Sequence, residues 1–283
     1  MSIVINHLTF AYTQGGKPLP PTLKDLTFTI EEKEFSGIIG HTGSGKSTFV
    51  KHLNGLLPCD KGAVIVDGHD LSQKSERRTV RSLVGMVFQY PEYQLFAETV
   101  FEDVAFGPRN MKLDETEVKN RVINAMTLVG LDPERFSERS PFELSGGERR
   151  RAAIAGVLAM HPKYLVLDEP MAGLDPLGRR EILALLEKLR TDSGCTIIMI
   201  SHSMDDIANH ATKVLVLDQG SLFMYDTPQN VFSEAQKLQR IGLSVPSITK
   251  ICLEMNRKGI QIPTSICTEE AFLSWFREGM QHA

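Results

Sequence analysis

Gly40-His41-Thr42-Gly43-Ser44-Gly45-Lys46-Ser47 decides the fold of this 283-residue chain, because it fits GxxxxGK[ST] in the strand-to-helix context that pattern requires. The run Phe35–Ile39 ahead of it reads as a short buried strand, and residues 47–57 behind it carry helical spacing, with Gly55 near the end. Between strand and helix the glycines let the backbone curl until successive N–H groups point at β- and γ-phosphates, at the positive end of a helix dipole. Lys46 brings a charge to those phosphates. The Ser47 hydroxyl is placed to ligate Mg²⁺, whose remaining positions go to phosphate oxygens and water.

Three further apolar runs, residues 164–167, Thr196–Ile200 and residues 214–217, are bounded by helical or turn segments and fit buried parallel strands in βα units. The class is therefore α/β. Asp168 and Glu169 follow the first of these runs directly, where Asp168 would hold magnesium through water and Glu169 would polarise the attacking water as a general base. Upstream, residues 3–12 and 23–30 alternate apolar and polar side chains, as in Leu26, Phe28 and Ile30, which predicts an antiparallel edge sheet. Residues 14–21 between them, with Gly15, Gly16, Pro18, Pro20 and Pro21, are turn chemistry.

Val118, Val122, Ala125, Met126 and Val129 make residues 116–129 an amphipathic helix, within a helical region from about residue 100 to 160. Beyond Pro228 the pattern changes to a small helical appendage. Ile248, Ile251, Cys252 and Met255 share one helix face there, and Phe272, Trp275 and Phe276 share another after a Thr268 cap.

Lys and Arg total 31 against 35 Asp and Glu, a formal charge of -4, so the basic excess of a nucleic-acid binder is missing and no nucleic-acid partner is expected. Cys59, Cys195, Cys252 and Cys267 are scattered, without a CxxC pair, and point to reduced thiols in a cytosolic compartment. The longest apolar stretch, residues 152–160, falls far short of the ~20 residues of a membrane-spanning helix, and the N-terminus lacks the pattern of a signal peptide. Any membrane role needs a partner.

Leu144-Ser145-Gly146-Gly147-Glu148, before a helix starting Arg149-Arg150-Arg151, is a second glycine-rich anion nest, with no lysine of its own. A chain needs only one γ-phosphate cradle, so this nest is expected to close over the nucleotide of another subunit, two chains sandwiching two nucleotides. The triple arginine reads as a charged helix face, with partner salt bridges as the alternative. With this nest the sequence resembles the ABC ATPases, whose signature is LSGGQ; Glu148 replaces the Gln and leaves the expected Ser145 and Gly147 contacts intact.

The resemblance covers residues 1 to about 230 and implies a P-loop ABC ATPase fold. Its parts are a RecA-like core, an antiparallel β subdomain, a helical subdomain over about residues 90–162, and a small C-terminal helical extension over 231–283. The cofactors it implies are ATP and Mg²⁺. Matched residue by residue, Tyr12 stacks on adenine, the loop from Gly40 through His41, Thr42, Gly43, Ser44, Gly45, Lys46 and Ser47 to Thr48 holds the phosphates, and Gln89 is the Q-loop glutamine that senses magnesium and the attacking water. Ala172-Gly173-Leu174-Asp175 is the D-loop, and His202, just after Thr196–Ile200, is the switch histidine that bonds the γ-phosphate. Ser145, Gly146, Gly147 and Asp175 then serve the nucleotide across the dimer.

A finer match lies in GHTGSGKST, in Phe88-Gln89-Tyr90-Pro91-Glu92-Tyr93-Gln94-Leu95-Phe96, and in the run Arg151-Ala152-Ala153-Ile154-Ala155-Gly156-Val157-Leu158-Ala159-Met160. These stretches are similar to the ATP-binding subunits of energy-coupling factor transporters, closest to the second of their two paralogous A subunits, and the tail from Gly242-Leu243-Ser244-Val245-Pro246 is similar to the extra domain those subunits carry. Met171, where Thr is commoner, departs from the pattern without touching an assigned role.

The resemblance implies a peripheral protein on the cytoplasmic face of the cell membrane. It would pair with a second ABC ATPase subunit, a hetero-pair being favoured, clasp the coupling helices of a membrane T subunit near Gln89–Phe96, and through it power uptake of a vitamin or transition-metal ion captured by an S subunit. Two readings fit Tyr93, Leu95 and Phe96, a docking surface or the helical subdomain's own core. Likewise the two faces of the tail pack either on their own domain or on the partner ATPase. The competing functions are an ordinary ABC importer ATPase, a soluble ABC ATPase working on DNA or ribosomes, and a regulatory partner that binds ATP without cleaving it. The single cassette without a CxxC pair or a heptad run speaks against the second, and the full set Lys46, Ser47, Gln89, Asp168, Glu169 and His202 against the third.

Overall fold

The chain begins in β1 (Ser2–Phe10), makes a small hairpin of β2 (Thr13–Gln14) and β3 (Lys17–Pro18) around Gly15 and Gly16, and returns as β4 (Leu23–Glu31), antiparallel to β1. The computed structural model describes residues 2–281. Next come β5 (Phe35–Ile39), the glycine-rich loop and α1 (Lys46–Leu53), then β6 (Val64–Val66), β7 (His69–Asp70), α2 (Lys74–Leu83) and β8 (Val84–Val87). A 3₁₀ turn, Pro91–Gln94, leads into four helices: α3 (Val100–Asn110), α4 (Glu115–Leu128), α5 (Pro133–Phe136) and α6 (Gly146–Leu158). After them follow β9 (Tyr164–Asp168), α7 (Pro176–Ser193), β10 (Thr196–Ile200), α8 (Met204–His210), β11 (Lys213–Asp218) and β12 (Ser221–Asp226). The chain closes with α9 (Pro228–Ser233), α10 (Ala235–Arg240), α11 (Ser247–Arg257) and α12 (Glu269–Gln281).

Two sheets organise these elements, an antiparallel one in the order β4-β1-β6-β7 and a larger one in the order β12-β11-β5-β10-β9-β8. In the larger sheet β11, β5, β10, β9 and β8 run parallel, and β12 is an antiparallel edge. Its central strands are buried on both faces, and their side chains divide by alternation. Phe35, Ile39, Leu165, Leu167, Ile197 and Met199 join the core under α6 and α7, whereas Ile38, Tyr164, Val166, Ile198 and Ile200 join the core shared with α1 and the antiparallel sheet. Ile200 is in register with both Ile38 and Asp168, so β5, β9 and β10 reach the same edge together.

Sequence reasoning places β5, β9, β10 and β11 within a residue or so and foresees the β1–β4 pair. It does not anticipate β8 or β12. Gly85 interrupts the apolar run of β8, and only partial burial marks β12 at the sheet's edge. The first helix also ends earlier than its periodicity suggests. Gly55 takes the left-handed conformation (φ 69°), and the Leu56 N–H turns back to the Lys51 carbonyl at 3.0 Å, which closes α1 at Leu53.

The helical tail divides in two. Val231, Phe232, Ala235, Leu238, Leu243 and Val245 enter the large core, while Cys252, Ile262 and Ile266 form a separate cluster with Ile248, Met255, Phe272 and Trp275 packed against it. The two apolar faces read from the sequence thus meet each other, and Ile251 and Phe276 remain exposed. Thr268 caps α12, its hydroxyl accepting from the Ala271 N–H at 3.3 Å.

Burial raises the pKa of all four thiols, with Cys195 pushed up to about 12 and Cys267 to about 11. Among the described residues no helix is long and apolar enough to cross a membrane.

A cluster at Asp67 staples the two sheets, with Lys163 paired to Asp67 and Glu32. The Tyr164 hydroxyl donates to Asp67 Oδ1 at 2.6 Å, joining the start of β9 to the β6–β7 turn. Replacing Tyr164 by Phe removes a buried hydrogen bond to a carboxylate and should cost about 1.5–3 kcal/mol in urea unfolding; a smaller change would show that the Lys163 ion pairs with Asp67 and Glu32 and the apolar packing hold the sheets without it.

Candidate active site

The loop between β5 and α1 is shaped by its glycines. Gly43 and Gly45 sit at φ 82° and 100°, and a Cβ on Gly40 would lie 2.4 Å from Ser44 Oγ and 2.5 Å from the Leu217 carbonyl. Gly45 heads α1 without a side-chain cap, and no acid stands in the first turn, so the positive helix end faces the loop uncompensated. Lys46 is buried and its ammonium donates to the carbonyls of Gly40 (2.7 Å) and His41 (3.0 Å). Burial lowers its pKa, and the carboxylates of Glu169 and Asp168 oppose that shift. Of the other loop side chains, His41 lies 3.0 Å from Asp218 Oδ1 through Nε2, and Thr48 Oγ1 is 3.2 Å from the hydroxyl of half-exposed Tyr12.

Asp168 ends β9 beside the loop, where burial raises its pKa and a hydrogen bond from Ser47 pulls it back down. Glu169 follows in the left-handed region at φ 52°, a conformation costing a non-glycine residue ~1–3 kcal/mol. Its N–H is held by the Ile200 carbonyl at 3.2 Å. The strained turn aims the carboxylate between two partners: His202 Nε2 at 2.8 Å from Oε1, and Gln89 Nε2 donating to Oε2 at 3.3 Å. Residues 80 and 33 positions away in sequence thus meet on one carboxylate.

Ser145, Gly146, Gly147 and Asp175 are not drawn into that constellation. Ser145 caps α6 in a reciprocal box: its hydroxyl accepts from the Glu148 N–H at 3.3 Å, while Glu148 Oε2 accepts from the Ser145 N–H at 2.8 Å. Asp175 caps α7, accepting from the Gly178 N–H at 2.8 Å. Ser145, Gly147 and Asp175 line a separate cavity of about 590 Å³. A Cβ added to Gly146 or Gly147 would meet nothing within 4 Å, so nothing inside the chain demands either glycine.

The triple arginine corrects the reading of a charged helix face. Arg151 pairs with Glu181 and reaches the Val129 carbonyl, while Arg150 is buried, 4% exposed, with both oxygens of Glu92 and the carbonyls of Pro170 and Ala172 around it. One signal could have revealed it, since Arg150 shares a helix face with Ile154 and Leu158 at i, i+4 and i+8, both buried. Arg179 was missed too. Its guanidinium holds Asp206 of α8 at 3.0 Å and also Ser203, the residue after His202. Leu95 is buried in the core, whereas Tyr93 and Phe96 are 83% and 60% exposed, so each reading of residues 90–96 holds for part of that run.

Residues 23–172 match the family described as ABC transporter. The energy-coupling factor transporter ATP-binding protein EcfA2 of Caldanaerobacter subterraneus subsp. tengcongensis is 49% identical over 95% of this chain and 94% of its own length; that of Symbiobacterium thermophilum is 50% identical over 98% and 96%. Among solved structures, cbiO1 from Clostridium perfringens, part of the ABC transporter complex cbiONQ, superposes with a TM-score of 0.73 at 36% identity, covering 84% of this chain and 93% of that one. The ATP-binding cassette MJ0796, solved as a dimer in a post-hydrolysis state bound to ADP and Pi, gives 0.71 at 28% identity, covering 80% and 98%.

The two glycine sets differ in what a methyl group would do. Gly40→Ala should destabilise the loop and weaken nucleotide binding, whereas Gly147→Ala, inside a helix and in open space, should gain about 0.5–1 kcal/mol of stability; thermal unfolding and fluorescent-nucleotide titration of both variants check the contrast. The phosphate loop, the strand-end carboxylates and the separate LSGGE nest, with these relatives, make the chain a member of the ABC transporter ATPases and, within them, of the energy-coupling factor transporter ATP-binding proteins.

Proposed function

We propose that this ATPase, an ATP-hydrolysing subunit of an energy-coupling factor transporter, completes its sites by pairing with a second ABC ATPase subunit and passes the resulting motion to a membrane subunit. The observation that carries the mechanism is the meeting of Gln89 and His202 on the two oxygens of Glu169, beside the phosphate loop. The loop amides and Lys46 take the phosphates, and Tyr12, half-exposed next to Thr48, stacks on adenine. Ser47 and Asp168 are hard oxygen donors already hydrogen-bonded to each other, and with Gln89 they fit Mg²⁺, which takes few protein ligands and fills its octahedron with phosphate and water. The metal, when bound, neutralises charge developing on the phosphate oxygens.

Glu169 acts as the general base on the attacking water. His202 orients that carboxylate and contacts the γ-phosphate, and Gln89 reports on both. The nucleotide so held is closed from the other side by the partner's signature nest. In return Ser145, Gly146, Gly147 and Asp175 serve the partner's nucleotide, which accounts for two glycines that this chain does not itself need. Hydrolysis then lets the pair part.

On this reading residues 1–230 form the ATP-binding domain, with a helical subdomain over about 90–162, and residues 231–283 supply a contact surface to the partner ATPase through Ile251 and Phe276. On the resemblance of its motifs to those subunits, the chain pairs with an unlike ATPase and acts on a T subunit, with an S subunit selecting a vitamin or transition-metal ion. The same reading puts it at the cytoplasmic face of the membrane as a peripheral protein. The T subunit's coupling helices dock near residues 89–96, where exposed Tyr93 stands against Tyr90 and exposed Phe96 packs edge-on against Phe106, which lines a groove of about 850 Å³ together with Arg78, Arg81 and Lys112.

Glu169→Gln keeps the shape of the site and removes the base. It should bind ATP, slow phosphate release by about 10²–10⁴-fold and accumulate as a closed ATP-bound pair in size-exclusion chromatography; retained turnover would take Glu169 out of that role. Tyr93→Asp and Phe96→Asp should leave the melting temperature of the isolated chain unchanged and abolish its co-purification with the T subunit. Undiminished recovery of the membrane subunit places the docking surface elsewhere.

A further inference from the structure

Among the described residues, Arg150 is the one buried Lys or Arg that the proposed mechanism leaves without work. It lies in the second turn of α6, 4% exposed, and spends its donors in a fixed pattern. Nε and Nη2 meet Glu92 Oε2 and Oε1 at 3.1 and 3.0 Å, a fork on both carboxylate oxygens, and Nη1 meets the carbonyls of Pro170, at 3.5 Å, and Ala172. Glu92 is itself mostly buried, with 14% of its side chain exposed. A pair of this kind cannot part without leaving a charge uncompensated in the interior, so its members move together. Lysine could not replace it, since a single ammonium does not span two carboxylate oxygens and two carbonyls.

What the pair joins matters more than its strength. Glu92 belongs to the turn Pro91–Gln94, three residues from Gln89 and next to exposed Tyr93. Pro170 and Ala172 come one and three residues after Glu169, at the head of the stretch that runs to Asp175. Arg150 itself sits five residues from Ser145 on the helix that Ser145 caps. One guanidinium therefore touches the segment after Gln89, the segment after Glu169 and the helix behind the LSGGE nest.

We propose that Arg150, through Glu92, is a positioning residue that locks these three segments into one body, so that a push on the face of Tyr93 and Phe96 reaches both the strand end carrying Glu169 and the signature nest without slack. The inference rests on the ATPase reading above, but the donors of the clamp are taken by Glu92, Pro170 and Ala172 and none goes to the phosphate loop. Its loss should therefore slow the chemical step while ATP binding at the phosphate loop stays as it was.

The test uses the assembled transporter with R150K, E92Q and the double variant. R150K should lower kcat at saturating ATP by about tenfold or more with KM for ATP within about twofold, and the double variant should be no slower than R150K alone, as expected of residues acting as a unit. Unchanged kcat, a KM that rises as kcat falls, or simple additivity of the two losses overturns the clamp. Hydrogen exchange on the isolated full-length chain reads the same link without turnover: R150K should speed exchange in residues 90–96 and 170–175 and leave residues 35–39 as in the wild type. No change in either segment overturns the proposal even if the complex proves inactive, whereas an inactive wild-type complex with both segments loosened by R150K refutes only the ATPase reading. Should R150K also loosen residues 35–39, the isosteric E92Q carries the same comparison.

Discussion

Parallel pairing of β5 with β10, and of β10 with β9, is the constraint on which the rest of the molecule depends. It sets Ile38, Ile200 and Asp168 in one register, so the loop after Ile39, the carboxylates after Leu167 and the histidine after Ser201 emerge at a common edge. A slip of one residue in either pairing would turn every side chain of a doubly buried strand to the opposite core. The strict division of those side chains between two hydrophobic clusters is what forbids it. Packing thus fixes the chemistry's geometry at a distance, and the strained backbone of Glu169 is held by the Ile200 carbonyl at the end of β10.

The parts of this arrangement differ in how plainly the sequence displays them. The phosphate loop is legible because backbone geometry restricts residue type there: Gly43 and Gly45 take positive φ, and Gly40 has no room for a methyl. The carboxylates at 168 and 169 are legible because they interrupt an apolar run at its end. Gln89 and His202 carry no such mark, being polar, exposed and far from each other in the chain, and only their order relative to the loop and the LSGGE stretch picks them out. Arg150 and its neighbours 149 and 151 look alike in a sequence, yet the phase of the helix buries one and not the other two. The strands β8 and β12 escaped notice for another reason: each owes its place to the neighbour it pairs with, rather than to a pattern of its own.

The two glycine-rich turns show opposite relations between a motif and its own chain. In the first, every glycine answers a local steric demand. In the second, the backbone is an ordinary capped helix start, the box between Ser145 and Glu148 is complete within the chain, and the bare surface of Gly146 and Gly147 is the unusual part. Local physics accounts for the first turn in full and leaves a remainder in the second. That remainder is where a second subunit enters the explanation.

The thiols carry a practical consequence. Cys195, Cys252 and Cys267 are buried and burial raises their pKa, so maleimides and thiol-directed spin labels meet little accessible thiolate at those three positions, whereas Cys59 is partly exposed. With Cys59 replaced, a probe attached to one engineered surface cysteine would therefore report from a known place, and the three buried native cysteines could stay as they are while distances between subunits are measured.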